Sequence, residues 1–298
     1  MSDFFSVPPD HRSGYVALVG KPNVGKSTLM NALVGRKLSI VTRKPQTTRH
    51  RILGIWSEEK HQVILLDTPG IIKPRYKLQE AMMHNVDAAV TEADLLVFMA
   101  EATQDAPDTL SLEQVGNRPA LLVINKIDLI RPEEALPLVE RYTALRAFEA
   151  VIPISALSGT NVDALKQEIL DRIPLGPPFY PKDMISEHPE RFFVAEIVRE
   201  KIFQQYREEI PYSTQVDIVS YEERKGQKDL IHADIVVERD SQKGILIGKG
   251  GKALKRIGMS ARKDIEAFLG REIFLQLHVK VRTDWRNRDS FLKSFGYR

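Results

Sequence analysis

The sequence predicts an α/β protein in two units, a larger one built on a mainly parallel sheet and a smaller α+β unit behind it. Short segments rich in Val, Ile and Leu recur at residues 15–19, 63–66, 95–99, 121–124 and 151–154. Helix-like stretches such as 77–90 and 133–146 lie between them. Alternation of this kind builds a parallel sheet with helices on both faces. The run Gly-Lys-Pro-Asn-Val-Gly-Lys-Ser at 20–27 sits between the first of these strands and a helix-like stretch at 27–34. Finally, residues 174–189 break the rhythm with five prolines, which remove backbone donors and block helices, and the pattern changes after them.

The boundaries that follow are a leader at 1–13, the first domain at 14–173, a semi-rigid proline-rich linker at 174–189 and the second domain at 190–298. In the second domain, residues 190–205 read as a helix, 214–221 and 230–238 as paired strands and 253–269 as a basic amphipathic helix. Residues 272–281 read as a strand, with Ile273, Leu275, Leu277, Val279 and Val281 alternating.

Composition narrows the classes. The 298 residues are enough for two cores, and 43% hydrophobic with 28% charged residues is ordinary for a soluble protein. The absence of cysteine excludes a disulfide partner, a thiolate zinc site and a cysteine nucleophile. No apolar run approaches the roughly 18 residues of a membrane span, so membrane association is expected to be peripheral at most. Residues 1–12 lack the apolar stretch of a signal peptide. The seven histidines form no H-x-x-x-H pair. Charge is uneven: residues 1–174 carry −1, whereas residues 243–298 carry +9, which suits a polyanion.

Residues 20–27 fit G-x-x-x-x-G-K-[ST], a loop that cradles phosphates. Gly20 and Gly25 permit the tight turn, and the amides of Asn23, Val24 and Gly25 with the following helix N-terminus form an anion site. Lys26 is placed to reach the β- and γ-phosphates, Ser27 to offer its hydroxyl to Mg²⁺, and Thr28 to touch the α-phosphate. Asp67-Thr-Pro-Gly70 follows an apolar strand; Asp67 is placed for the Mg²⁺ shell and Gly70 for the γ-phosphate. Asn125-Lys126-Ile-Asp128 follows another strand. A carboxylate there accepts from both N1–H and the exocyclic amine of guanine, a pair that adenine lacks. Lys126 is expected to lay its stem over the base. Ser155-Ala156-Leu157 offers a backbone amide to the guanine oxygen.

These four motifs, in this order over residues 14 to about 172, resemble the translation-factor-related GTPases. The resemblance implies a mobile switch threonine that completes the Mg²⁺ shell when GTP is bound. Lys44-Pro-Gln-Thr47-Thr48-Arg49 holds two threonines. By similarity to relatives whose threonine directly precedes arginine, the expectation falls on Thr48. Many such GTPases carry a water-orienting glutamine directly after D-x-x-G; this chain has Ile71, so slow hydrolysis is expected. Related GTPases without that glutamine often bind K⁺ through a phosphate-loop asparagine, which here is Asn23.

Residues 247–251 read Ile-Gly-Lys-Gly-Gly. In KH domains a G-x-x-G loop between two helices clamps a single-stranded nucleic-acid backbone. The order α-β-β-α-α-β resembles the bacterial, type II, KH domain. The expected RNA contacts are Ile247, Gly248, Lys249, Gly250, Gly251, Lys252, Lys255 and Arg256, with Ile247 and Leu254 on the groove floor. Trp285 and Phe291 read as core of a terminal amphipathic helix rather than as a stacking platform. GTPase domain, linker and KH domain together resemble the bacterial Era family. That resemblance implies GTP/GDP and Mg²⁺, the 3′ region of 16S ribosomal RNA as partner, and a role in small-subunit assembly. It also implies a cytoplasmic location with some peripheral attachment to the inner membrane. A membrane-recruited GTPase whose basic tail binds anionic lipid is the other class that the charge pattern admits.

Overall fold

The computed structural model describes residues 8–297. They form two compact units. One comprises residues 8–39, 48–73 and 82–187; the other comprises 40–47, 74–81 and 188–297. Of the expected leader, residues 1–7 lie outside the described residues. His11 is buried and its Nδ1 lies 2.7 Å from the Gly176 carbonyl, and the first strand begins at Arg12, so residues 11–13 belong to the fold.

In the first unit the elements run β1 (Arg12–Val19), α1 (Lys26–Val34), β2 (Ile52–Ser57), β3 (His61–Asp67), α2 (Lys77–Glu92, of which residues 77–81 group with the other unit), β4 (Leu95–Glu101) and α3 (Thr109–Val115). They continue with β5 (Ala120–Asn125), α4 (Leu136–Leu145), β6 (Ala150–Pro153) and α5 (Val162–Arg172). The six-stranded sheet has the order β2-β3-β1-β4-β5-β6, parallel except for β2, which pairs antiparallel with β3. Residues 16–19 of β1, 95–100 of β4 and all of β5 are buried, which explains why these strands read as near-continuous apolar runs. β1 is central, with the chain crossing to β3 on one side and β4 on the other. Ligands of open α/β sheets bind at the carboxyl ends of strands near such a switch point. Gly20, Asp67, Asn125 and Ser155 all lie at or just beyond the carboxyl ends of β1, β3, β5 and β6.

The proline-rich stretch is not a free linker. Gln62 Oε1 accepts from the amides of Phe179 and Tyr180 at 2.7 and 2.9 Å, and its Nε2 donates to the Tyr180 carbonyl at 2.8 Å. The amide of Ile55, on edge strand β2, donates to the Ile185 carbonyl at 2.9 Å. The stretch therefore covers a sheet edge that would otherwise expose unpaired backbone groups. The first unit accordingly runs on to Glu187.

The second unit holds α6 (Glu190–Gln205), α7 (Ile210–Ser213), β7 (Gln215–Glu222), β8 (Asp229–Val237), α8 (Asp240–Ile247), α9 (Lys252–Leu269), β9 (Ile273–Val281) and α10 (Asp289–Ser294). β7 and β8 are antiparallel, and β9 joins β8 in parallel. Ile257, Ala261 and Ile265 of α9, Val194, Val198 and Ile202 of α6, and Ile231, Ala233 and Ile235 of β8 share one core. Trp285 is also buried, its Nε1 donating to the Ser213 carbonyl at 2.9 Å. α6 is buried over most of its circumference, charges included. Arg199 Nε donates to Glu196 Oε1 at 2.8 Å, and Arg199 Nη2 to the Thr47 carbonyl at 2.6 Å. Glu200 Oε1 accepts from the Val41 amide at 3.1 Å. Lys44 Nζ donates to the carbonyls of Phe203 and Tyr206, at the helix end where a cation is favoured. Residues 40–47 thus meet the hydrogen-bonding needs that burial of α6 creates. No helix among the described residues is long and apolar enough to cross a membrane.

Candidate functional site

The loop after β1 reaches α1 through two left-handed residues, Asn23 (φ 66°) and Gly25 (φ 102°). Asn23 is exposed at its tip and Val24 is buried beneath. Lys26 is 6% exposed, and its Nζ donates to the carbonyls of Gly20 and Lys21 at 3.0 and 2.8 Å. Burial pushes its pKa down to about 8, against the pull of Asp67 and Asp108. The ammonium is thus enclosed and held by dipoles, ready for an anionic partner. Thr28 is half-buried in the first turn of α1.

Three oxygens converge beside it. Ser27 Oγ donates to Asp67 Oδ2 at 2.7 Å and lies 2.9 Å from Thr48 Oγ1. Thr47 Oγ1 is engaged elsewhere, donating to the Lys44 carbonyl at 2.8 Å and lying 2.6 Å from Thr42 Oγ1. Asp67 is wholly buried, and burial pushes its carboxyl up against the opposing effects of Ser27, Lys26 and Ser39. Its Oδ1 has no hydrogen-bond partner. A buried carboxylate with one free oxygen, flanked by two hydroxyls, is a hard-oxygen set that fits Mg²⁺. Gly70 lies against the backbone of Pro22, too close for any Cβ. Ile71 donates its amide to the Gly20 carbonyl at 3.1 Å and places its side chain in the core, 2% exposed.

Asn125 ties the base side to the phosphate side. Its Nδ2 donates to the Val24 carbonyl at 2.7 Å, and its Oδ1 accepts from the Ala156 amide at 2.9 Å. Lys126 is left-handed (φ 67°), with Nζ 2.8 Å from Glu101 Oε2. Asp128 is exposed on the short turn that follows. Ser155 is buried, its Oγ accepting from the Ser158 amide at 3.2 Å, while Leu157 is 83% exposed. One side chain therefore holds three of the four motifs in register, with the carboxylate of Asp128 left open to solvent.

In the second unit, Gly248 ends α8 at φ 68°, ψ 175°, a conformation essentially confined to glycine. Gly250 and Gly251 are left-handed, and α9 starts at Lys252. Lys249, Gly250, Lys252, Lys255 and Arg256, all exposed, belong to the loop and the first turns of that helix. A groove of about 410 Å³ opens beside this loop, lined by Gly251, Leu254 and Lys255 and further along by Met259, Arg262 and Phe274. Ile247, expected on its floor, instead packs against the core. Met259 (65% exposed) and Phe274 (49%) escaped the sequence reading. Their signal was there: Met259 follows Lys255 by one helical turn, and Phe274 is a large apolar residue on the wrong phase of the β9 alternation. Among the described residues no cluster of His, Asp and Glu is arranged to hold a metal on its own.

Fold and site together define a phosphate-loop GTPase that carries a KH domain. Residues 15–126 match the family described as 50S ribosome-binding GTPase, and residues 209–286 match the KH domain. The chain is 54% identical over 299 residues to the maize (Zea mays) protein named GTPase ERA1, chloroplastic, covering 98% of this chain and 72% of that one. It is 51% identical over 294 residues to an Arabidopsis thaliana protein named GTPase ERA-like, chloroplastic, covering 96% and 69%. Among solved structures it resembles a single-substitution variant of Aquifex aeolicus Era bound to GDP·AlF₄⁻, with TM-score 0.92, 42% identity, and 96% and 99% of the two chains covered. The same values describe Era in complex with MgGDPNP and nucleotides 1506–1542 of 16S ribosomal RNA. The chain belongs to the Era family of GTPases.

Proposed function

We propose that this chain is a slow GTP-driven switch that binds the 3′ region of small-subunit ribosomal RNA and acts in small-subunit assembly. The observation that carries the RNA half is the groove of the second unit: an apolar wall with Met259 and Phe274 exposed, beside a glycine loop ringed by Lys249, Lys252, Lys255 and Arg256. Flat apolar surface takes unstacked bases, glycines let a sugar–phosphate backbone come close, and the cations match its charge. The solved relative bound to a 16S RNA fragment supports the choice of RNA.

In the first unit, Lys26 and the loop amides hold the phosphates, Asp128 accepts the guanine donors, and Asn125 keeps base and phosphate sites in register. Ser27, Asp67 and Thr48 would hold Mg²⁺, which supplies charge neutralisation between the β- and γ-phosphates. Thr48, whose hydroxyl lies 2.9 Å from Ser27 Oγ, would complete the Mg²⁺ shell and so report the γ-phosphate. With Ile71 in the core, no side chain from that position orients water, so turnover is slow. Asn23, exposed at the loop tip, is the residue that would hold K⁺, and equal hydrolysis rates in K⁺ and Na⁺ would remove that role. Residues 40–47 end one residue before Thr48 and cluster with the second unit, which supports a nucleotide-dependent RNA affinity. By linkage, RNA then changes nucleotide affinity by the same factor.

The deciding experiment titrates the full chain with a 16S 3′-end RNA oligonucleotide and, separately, with vesicles of anionic lipid. RNA binding that Gly248→Asp removes while GTP binding persists is the expected result. Vesicle binding without RNA binding would favour the membrane-recruited reading instead. Equal RNA affinity with a GTP analogue and with GDP would remove the coupling.

A further inference from the structure

Glu101 closes β4 as Asn125 closes β5, and the two are register partners in neighbouring parallel strands. The Asn125 carbonyl accepts from the Ala102 amide at 2.8 Å, so the two strand ends are tied where they leave the sheet. β5 runs on into Lys126, whose φ of 67° is left-handed, a conformation that a non-glycine residue keeps only where its surroundings hold it. β4 runs on into a turn closed by the Gln104 amide, which donates to the Glu101 carbonyl at 3.1 Å. From that turn the Glu101 side chain reaches Lys126. Its Oε2 lies 2.8 Å from Nζ, and its Oε1 accepts from Thr103 Oγ1 at 2.8 Å. Both carboxylate oxygens are therefore engaged, and both side chains of the ion pair are less than one-third exposed.

A lysine combines an apolar stem, suited to covering a flat ring, with a mobile terminal charge that seeks an acceptor. For the stem to stay over a base, that charge has to be held at the stem's far end. It also has to be kept from Asp128, two residues on, whose exposed carboxylate reads the guanine donors. We propose that Glu101, braced by Thr103, is a positioning residue for the guanine nucleotide: it holds the Lys126 ammonium so that the stem covers one face of the base. Glu101 touches no nucleotide atom in this role and acts through the lysine. Its negative charge is what matters, because a neutral side chain of the same shape does not draw the ammonium across. Thr103 orients the carboxylate, keeping Oε2 turned toward Lys126. The end of β4 thereby joins the base site, although it carries none of the four motifs.

The proposal rests on the reading of Lys126 as the residue over the base, and its test separates the two. The full chain is titrated with a fluorescent GDP analogue. Inorganic pyrophosphate, which fills the phosphate loop and has no base, is then titrated as competitor. Glu101→Ala and Glu101→Gln are each expected to weaken binding of the GDP analogue about 3- to 5-fold, the upper range for an ion pair of this exposure, with pyrophosphate affinity unchanged. In a Lys126→Ala background Glu101→Ala should cost nothing further, the mark of a residue that acts through the lysine. Unchanged GDP affinity in Glu101→Ala overturns the proposal while Lys126→Ala still weakens binding. An equal loss with and without Lys126, or an equal loss for pyrophosphate, also overturns it, since either marks a turn that merely shapes the strand end. If Lys126→Ala binds the GDP analogue as tightly as the unaltered chain, Lys126 does not cover the base, and the proposal falls with that reading.

Discussion

Gly25 and Asn125 compete for the same space: a Cβ on Gly25 would overlap Nδ2 of Asn125, whose amide bonds the Val24 carbonyl at 2.7 Å. Gly25 also sits at φ 102°, where L side chains are strained. In Gly25→Ala the backbone strain of about 1–3 kcal/mol adds to the overlap and pushes Asn125 out of register, so GDP affinity should fall at least ~10-fold. Titration with a fluorescent GDP analogue measures it, and unchanged affinity would mean that Asn125 does not set the loop.

Replacing Ile71 by glutamine, the residue that many GTPases use at this position, should not create a faster enzyme. Ile71 is 2% exposed among core residues. Ile71→Gln buries an amide with no partner in place of an isoleucine, a change worth about 2–5 kcal/mol of destabilisation. Single-turnover hydrolysis should stay slow while the melting temperature drops. A faster rate would show that the loop can turn this side chain outward.

The groove predicts a division between stacking and charge. Phe274→Ala should weaken RNA binding roughly 5- to 150-fold, the equivalent of about 1–3 kcal/mol for a stacked base, and Met259→Ala should weaken it less, both at all salt concentrations. Lys255→Ala should lower the slope of log affinity against log salt by about one. Basal GTP hydrolysis without RNA serves as the control and should not change in any of the three.

Arg271 links Glu190 and Asp229, with Nε to Asp229 Oδ2 at 2.6 Å and Nη2 to Glu190 Oε2 at 2.5 Å. Its hydrogen bonds hold both carboxyls below their ordinary values. Depressed carboxylate pKa values give stability that is present above the unfolded values of about 4 and is lost as pH falls through the folded ones. Arg271→Gln should therefore be less stable at pH 7, by about 1 kcal/mol given the partial exposure of the cluster. The gap should close in melts as the pH falls through those depressed values. A gap independent of pH would assign the effect to packing.

The motifs were legible because each is local: a strand, a turn of fixed spacing and a helix carry the glycines, Lys26, Asp67 and Asn125 in a few consecutive positions. What stayed hidden depended on partners far away in the chain. β2 went unread because Ile-Leu-Gly-Ile-Trp-Ser is short and interrupted by Gly54, and its pairing with β3 is what makes it a strand. The proline-rich stretch reads as a linker by composition. Partners more than a hundred residues earlier, Gln62 and Ile55 among them, show that it is strapped down. Asn31 looked like an ordinary helix residue, and only the folded chain brings its side chain to the backbone of Leu38 and Ser39, seven and eight positions on.

The second unit takes in residues 40–47 and 74–81 from the earlier part of the chain, so no single cut excises it. A fragment beginning at His188 would leave Arg199 without the Thr47 carbonyl and Glu200 without the Val41 amide, and would strip Lys44 from the end of α6. The RNA-binding half is therefore a poor candidate for transplantation by gene fusion. Insertion or recombination at the proline-rich stretch would divide the sequence without dividing the folded bodies.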